Sequence, residues 1–130
     1  MRKIILDTNF LLLPFQLKID IFGEIEKIIG RFEPMVLSTT LDELRKLSKS
    51  RSAKMSKLAS LAMDLSKKCR IIEVNVMPGE SYDDVILRVA KENDCIVATN
   101  DRLLRKKLRK AGIATIFLRQ RAYLEAEGYV

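Results

Sequence analysis

The chain contains no histidine and no tryptophan, and its 130 residues include only two cysteines, three prolines and five glycines. Without imidazole, the Ser-His-Asp and Cys-His arrangements and His-ligated zinc are excluded, so any catalysis must use carboxylates, hydroxyls, lysine or a thiol. Cys69 and Cys95 form no C-x-x-C pair. A zinc ribbon is therefore excluded, and two reduced, buried thiols are expected in place of a disulfide framework. Met1-Arg2-Lys3 leads directly into a short apolar segment, which is neither a signal-peptide core nor a membrane span. A soluble, cytoplasmic protein with no membrane partner is expected, folded as a single domain over residues 1–130.

What is present is a two-period pattern. Short, wholly apolar runs at Ile4-Ile5-Leu6, Met35-Val36-Leu37, Cys95 to Ala98 and Thr115 to Leu118 read as strands buried on both faces. Ile71 to Val74 reads as an edge strand because Glu73 interrupts it. Asp7-Thr8-Asn9 reads as loop residues that end the first strand, and Pro14, Pro34 and Pro78 are expected between elements. Between the strands the period changes to 3.6, with Phe22, Ile25 and Ile29, then Leu41, Leu44 and Leu47, then Met55, Leu58 and Ala62, then Ile86 and Val89, and finally Leu104 and Leu108. Strands alternating with helices predict βαβ crossovers and a parallel sheet covered on both faces. In such sheets ligands bind at the carboxyl ends of the strands. No Gly-rich phosphate cradle follows any strand, so dinucleotide and P-loop chemistry are excluded.

Acid follows the strands instead. Asp7 closes the first strand and Asp101 follows the fourth, and each alone reads as a helix N-cap. Thr40 and Glu43 have capping-box spacing, although a helical wheel puts Glu43 on the flank of the Leu41-Leu44-Leu47 stripe and Asp42 toward water. Ser81 and Asp84 have the same spacing, which makes Asp84 a capping residue and leaves Asp83 at the border of the core. Four acids converging on one sheet edge repel one another unless a cation compensates, and oxygen donors without His or Cys suit Mg²⁺ or Mn²⁺. An acidic pocket of that kind is a phosphoryl-transfer site.

The charge balance is strongly positive. Lys and Arg outnumber Asp and Glu 24 to 17, giving a formal +7. Arg45, Lys46, Lys49, Arg51, Lys54 and Lys57 occupy a stretch without an anion, and Arg102, Arg105, Lys106, Lys107, Arg109 and Lys110 form a second. A solvated helix usually interleaves signs to gain i,i+4 pairs. Two cationic stretches beside an acidic rim point to a polyanion whose affinity falls with salt, and the runs, without aromatics, favour backbone contact over base readout. Arg45, Lys46, Lys49, Arg51, Lys54, Arg102, Arg105 and Lys106 are the expected nucleic-acid contacts.

Taken together, Ile5-Leu6-Asp7-Thr8-Asn9, Glu43, Asp83-Asp84-Val85-Ile86, Val97-Ala98-Thr99-Asn100-Asp101 and the closing Ile116-Phe117-Leu118 resemble the PIN-domain ribonucleases over essentially the whole length. The resemblance implies a three-layer α/β/α sandwich on a mainly parallel five-stranded sheet of order 3-2-1-4-5. It further implies that Asp7, Glu43, Asp83 and Asp101 are both catalytic and metal-ligating, holding one or two Mg²⁺ or Mn²⁺ ions for hydrolysis of RNA. Thr99 takes the position of the family's hydroxyl beside the metal, Asn9 orients Asp7, and Asp84 supports the site. Val97 to Lys110 resembles the pre-ribosomal RNA-processing branch more than the VapC toxins. The expected partners are RNA, a protein antitoxin or a pre-ribosomal protein, and a second copy in a homodimer. The alternative from another class is a PIN module that grips RNA or the ribosome without cutting. A phosphorylatable receiver domain is set aside because no Asp ends the Met35 or the Ile71 strand.

Overall fold

A computed structural model describes residues 1–128. Its sheet has six strands, β1 (Arg2–Leu6), β2 (Phe32–Leu37), β3 (Arg70–Ile72), β4 (Ile96–Ala98), β5 (Thr115–Arg119) and β6 (Tyr123–Glu127). They lie in the order β3-β2-β1-β4-β5-β6. The first five are parallel in the expected order, and β6 adds an antiparallel edge against β5. Six helices connect them: α1 (Thr8–Leu17), α2 (Ile21–Ile29), α3 (Ser38–Ser48), α4 (Ala53–Ser66), α5 (Tyr82–Asn93) and α6 (Arg102–Lys110).

The side-chain period of a strand explains the three layers. On β1, Ile4 and Leu6 face one way, into a core with Phe10 and Leu11 of α1, Ile21 and Ile25 of α2, Leu44 of α3 and Ala62 of α4. Ile5 faces the other way, with Met35, Leu37 and Val97, onto Val85, Ile86 and Val89 of α5 and Leu104 and Leu108 of α6. Burial on both faces is why β1, β2 and β4 read as unbroken apolar runs.

Four local expectations are corrected. Asp7-Thr8-Asn9 is no loop, since it opens α1 with Asp7 as N-cap. Pro14 lies inside α1, and Pro34 lies within β2 opposite Ile4, ahead of the Met35–Leu37 stretch that pairs with β3. At that point β2 still has a free flank, which is where a strand tolerates a missing N–H. Strand β3 is indeed at the edge but ends at Ile72, with Val74 held beyond it by Ser38 through a 3.0 Å bond from its backbone N to Oγ. Helix α3 begins at Ser38 with no side-chain cap, so Thr40 and Glu43 form no capping box. The buried thiols of Cys69 and Cys95 are free as expected, and burial pushes the Cys69 thiol up to about 11.

Candidate active site

The order of the sheet reverses at β1, which has β2 on one side and β4 on the other. The crevice outside the carboxyl ends of β1 and β4 is therefore the expected ligand position. Asp7 sits in its floor, 6% exposed, where its backbone N–H donates to the Ala98 carbonyl at 3.0 Å. One carboxylate oxygen accepts the Thr8 N–H at 2.8 Å and so caps α1. The other accepts the Thr99 hydroxyl at 2.7 Å and the Asn9 amide at 3.0 Å. Asn9 is held in turn by the Asn100 N–H, which donates to its Oδ1 at 3.0 Å.

Thr99, fully buried, joins two acids. Besides donating to Asp7, its Oγ1 accepts the Asp101 N–H at 3.1 Å. Asp101 caps α6, with Oδ1 accepting from Leu103 N at 2.9 Å and Leu104 N at 3.2 Å. The capping role expected of Asp101 alone is thus real, and it leaves Oδ2 for other work. Glu43 reaches in from α3, where Thr8 Oγ1 donates to its Oε1 at 3.0 Å. Asp83 lies in the first turn of α5, while Asp84 completes the capping box with Ser81.

The electrostatics tie these acids together. Burial, the largest cause, raises the pKa of Asp7, opposed by its bonds from Thr99 and Thr8 and reinforced by Asp83 and Asp101. Glu43 is raised first by burial and then by Asp7 and Asp83, with Thr8 and Lys46 opposing. Asp83 is likewise raised by burial and by Asp101, against Lys107. Each of the three thus feels at least one other pocket acid, and among the described residues Asp7, Glu43 and Asp83 form no ion pair. Among the described residues, no three acidic or thiol side chains are drawn close enough to hold an ion as they stand. Repulsion between uncompensated carboxylates keeps such groups apart. Hard oxygen donors, one buried and three half-buried, without a cationic partner among the described residues suit Mg²⁺ or Mn²⁺ by their chemistry, and no imidazole ligand competes.

A pH dependence follows. Because Asp7, Glu43 and Asp83 hold protons more tightly when folded, the folded chain binds more protons than the unfolded one from their ordinary values of 3.8 to 4.5 up to the raised ones. Over that window stability falls as pH rises. Glu80, lowered mainly by its bond from Arg88, and Asp84, lowered mainly by the Ser81 backbone, act oppositely, and their contribution is lost only as pH falls through their lowered values. In chelator, these three groups should therefore raise the melting temperature as the pH falls from neutrality toward their ordinary values of 3.8 to 4.5. A steady fall over that interval would contradict the electrostatic account.

The basic residues divide. Lys49, Arg51 and Lys54 are exposed along the α3–α4 turn, and Arg102 and Lys106 are exposed on α6. Arg45 pairs with Asp42 at 2.9 Å in the open. Lys46 meets Tyr82, with Nζ 3.3 Å from the hydroxyl and 5.6 Å from the ring centroid. Arg105 is a correction, because its guanidinium stacks over Phe117 at 3.4 Å and bonds Glu127 at 3.2 Å. It fastens β6 to α6. Three residues were missed as site residues: Thr8, hidden by the loop reading of Asp7-Thr8-Asn9; Lys107, counted in a run and now seen to influence Asp83; and Tyr82, which no motif or charge run singles out.

Comparison with known proteins agrees with this fold. A family model described as a PIN-like domain matches residues 4–121. The chain is 40% identical over 134 aligned positions to Ribonuclease VapC4 of Methanocaldococcus jannaschii, covering 100% of both chains. It is 28% identical over 126 residues to the rRNA-processing protein FCF1 of Saccharomyces cerevisiae, covering 94% of this chain and 62% of that one. The solved structure of the PIN domain endonuclease Utp24 superposes with a TM-score of 0.77 at 26% identity, over 98% of this chain and 92% of that one. With the domain matched along nearly the whole sequence and a full-length relative at this identity, the chain belongs to the PIN-like domain family.

Proposed function

We propose that the chain is a divalent-metal-dependent endoribonuclease that hydrolyses RNA phosphodiester bonds at Asp7, Glu43, Asp83 and Asp101. The observation that carries the reading is Asp7, a carboxylate 6% exposed at the switch point of the sheet, held by three protein donors and facing further acids without a cationic partner among the described residues. A group so placed stores an unbalanced charge that a hard cation would relieve. The names of the relatives, a ribonuclease and an endonuclease, support RNA cleavage within the strand.

The four acids would hold the ion. When bound, Mg²⁺ or Mn²⁺ supplies polarisation of the phosphate and a lowered pKa for water. The chain's own residues do the positioning. Thr99 and Asn9 fix the free edge of Asp7, Thr8 fixes Glu43, and Asp101 is fixed by the cap it makes. Carboxylates already held by such bonds have less to rearrange when an ion draws them together. Lys49, Arg51, Lys54, Arg102 and Lys106 lie free on the surface to neutralise flanking phosphates.

A second reading of the target has its own support: the match to FCF1, named for rRNA processing, extends over 94% of this chain. In that reading the RNA is ribosomal and the partner pre-ribosomal; in the first, closer to VapC4, the partner is an antitoxin. No described helix is long and apolar enough to cross a membrane. The test is Mn²⁺-dependent cleavage of RNA by the wild type against Asp7→Asn and Asp101→Asn. A chain that binds RNA but never cuts it would support the non-catalytic alternative.

A further inference from the structure

Aromatic side chains are scarce here, with five Phe and three Tyr in the sequence. Most of those described are committed to the fold: Phe10 is fully buried, Phe22 and Phe32 stack on each other, and Phe117 lies under Arg105. Tyr82 stands differently. It is the first residue of α5, immediately before Asp83, and it is half-buried. Its hydroxyl end is held by the ammonium of Lys46, 3.3 Å from the hydroxyl and 5.6 Å from the ring centroid, and Lys46 is exposed on α3 one turn beyond Glu43. The contact therefore joins the two helices that bring Glu43 and Asp83 to the pocket, and its cation also acts on Glu43.

A single bond from an ammonium to a neutral hydroxyl at an exposed site is a weak association, whereas a nucleobase stacked on the ring contributes more. An incoming strand also offers Lys46 a phosphate, a better partner for a compact ammonium than a phenol oxygen. Both exchanges favour the same rearrangement. From this geometry we infer that Tyr82 is a base-stacking residue at the mouth of the acidic pocket, released when Lys46 exchanges its hydroxyl for a phosphate of the bound strand. The inference rests on the proposed ribonuclease reading and deepens it, because it fixes a nucleobase, and not only the sugar-phosphate chain, beside Asp83. A static tie between α3 and α5 would use the same contact but would be indifferent to bases.

The test uses the full chain carrying Asp7→Asn, so that bound RNA stays intact, and two probes of equal charge: an oligoadenylate of roughly ten nucleotides and its abasic tetrahydrofuran analogue. The expected result is a preference of about ten-fold for the oligoadenylate, lost on Tyr82→Ala and kept on Tyr82→Phe, which retains the ring and gives up the bond to Lys46. Equal affinity for the two probes with Tyr82 in place overturns the inference and leaves the ribonuclease reading standing. So does a preference that survives Tyr82→Ala. Failure to bind either probe overturns the reading and the inference together.

Discussion

Asp7→Asn and Asp101→Asn should each lower Mn²⁺-dependent RNA cleavage by roughly 10²–10³-fold, the scale of several kcal/mol of lost charge stabilisation. The two variants separate chemistry from scaffolding. Asp101 caps α6 through Oδ1, and asparagine caps a helix about as well as aspartate. The Leu103 and Leu104 amides therefore keep their acceptor, and only the charge disappears. At position 7, asparagine offers one acceptor oxygen where Thr8, Thr99 and Asn9 now use two. The lost acceptor is offset by removal of a charge that burial and the neighbouring acids already disfavour. Melting temperatures should therefore stay within about 5 °C of the wild type, which corresponds to roughly 1 kcal/mol in a domain of this size. Undiminished cleavage in both variants would sink the catalytic assignment. A loss accompanied by unfolding would say that these residues are caps alone.

Thr99→Val should cost more stability than either. Valine fills the same space, but the fully buried hydroxyl both donates to Asp7 at 2.7 Å and accepts from the Asp101 N–H at 3.1 Å. Removing it strands a backbone donor and takes one of the bonds that hold down the pKa of Asp7. Losing a charge-assisted bond and leaving a buried N–H unpaired costs about 2–3 kcal/mol, or about 10 °C in melting temperature. Cleavage should fall as well, since Asp7 and Asp101 lose their common anchor. Thr99→Ser, which restores the hydroxyl, should recover most of both. If valine is tolerated with full stability and activity, the link between the two acids carries no weight.

How far the sequence foretold this arrangement depended on what kind of signal each part leaves. The parallel strands were legible because burial on both faces forces unbroken apolar runs such as Ile4-Ile5-Leu6. Strand β6 was not, because Tyr123 to Glu127 is a half-exposed edge and its turn uses Gln120 and Arg121 at φ 53° and 56°, where glycine or asparagine is the usual marker. Helix α1 was hidden for a related reason. Phe10, Leu11, Leu12 and Leu13 are all buried, so the segment shows no amphipathic period, and Pro14 argues against a helix. The acids of the pocket could be found from their place after strands, but not their supports. That Thr8 holds Glu43 across 35 positions, and that Arg105 turns to Phe117 and Glu127 and leaves the basic face, are facts of packing that a charge count cannot register.

The direct measurement of the central claim is calorimetric titration of the full-length wild type with Mn²⁺ near neutral pH. Buried and half-buried carboxylates that face one another without a cationic partner should bind the ion saturably. Asp7→Asn should weaken or abolish the binding. A wild-type chain that takes up no Mn²⁺ under these conditions would contradict the account.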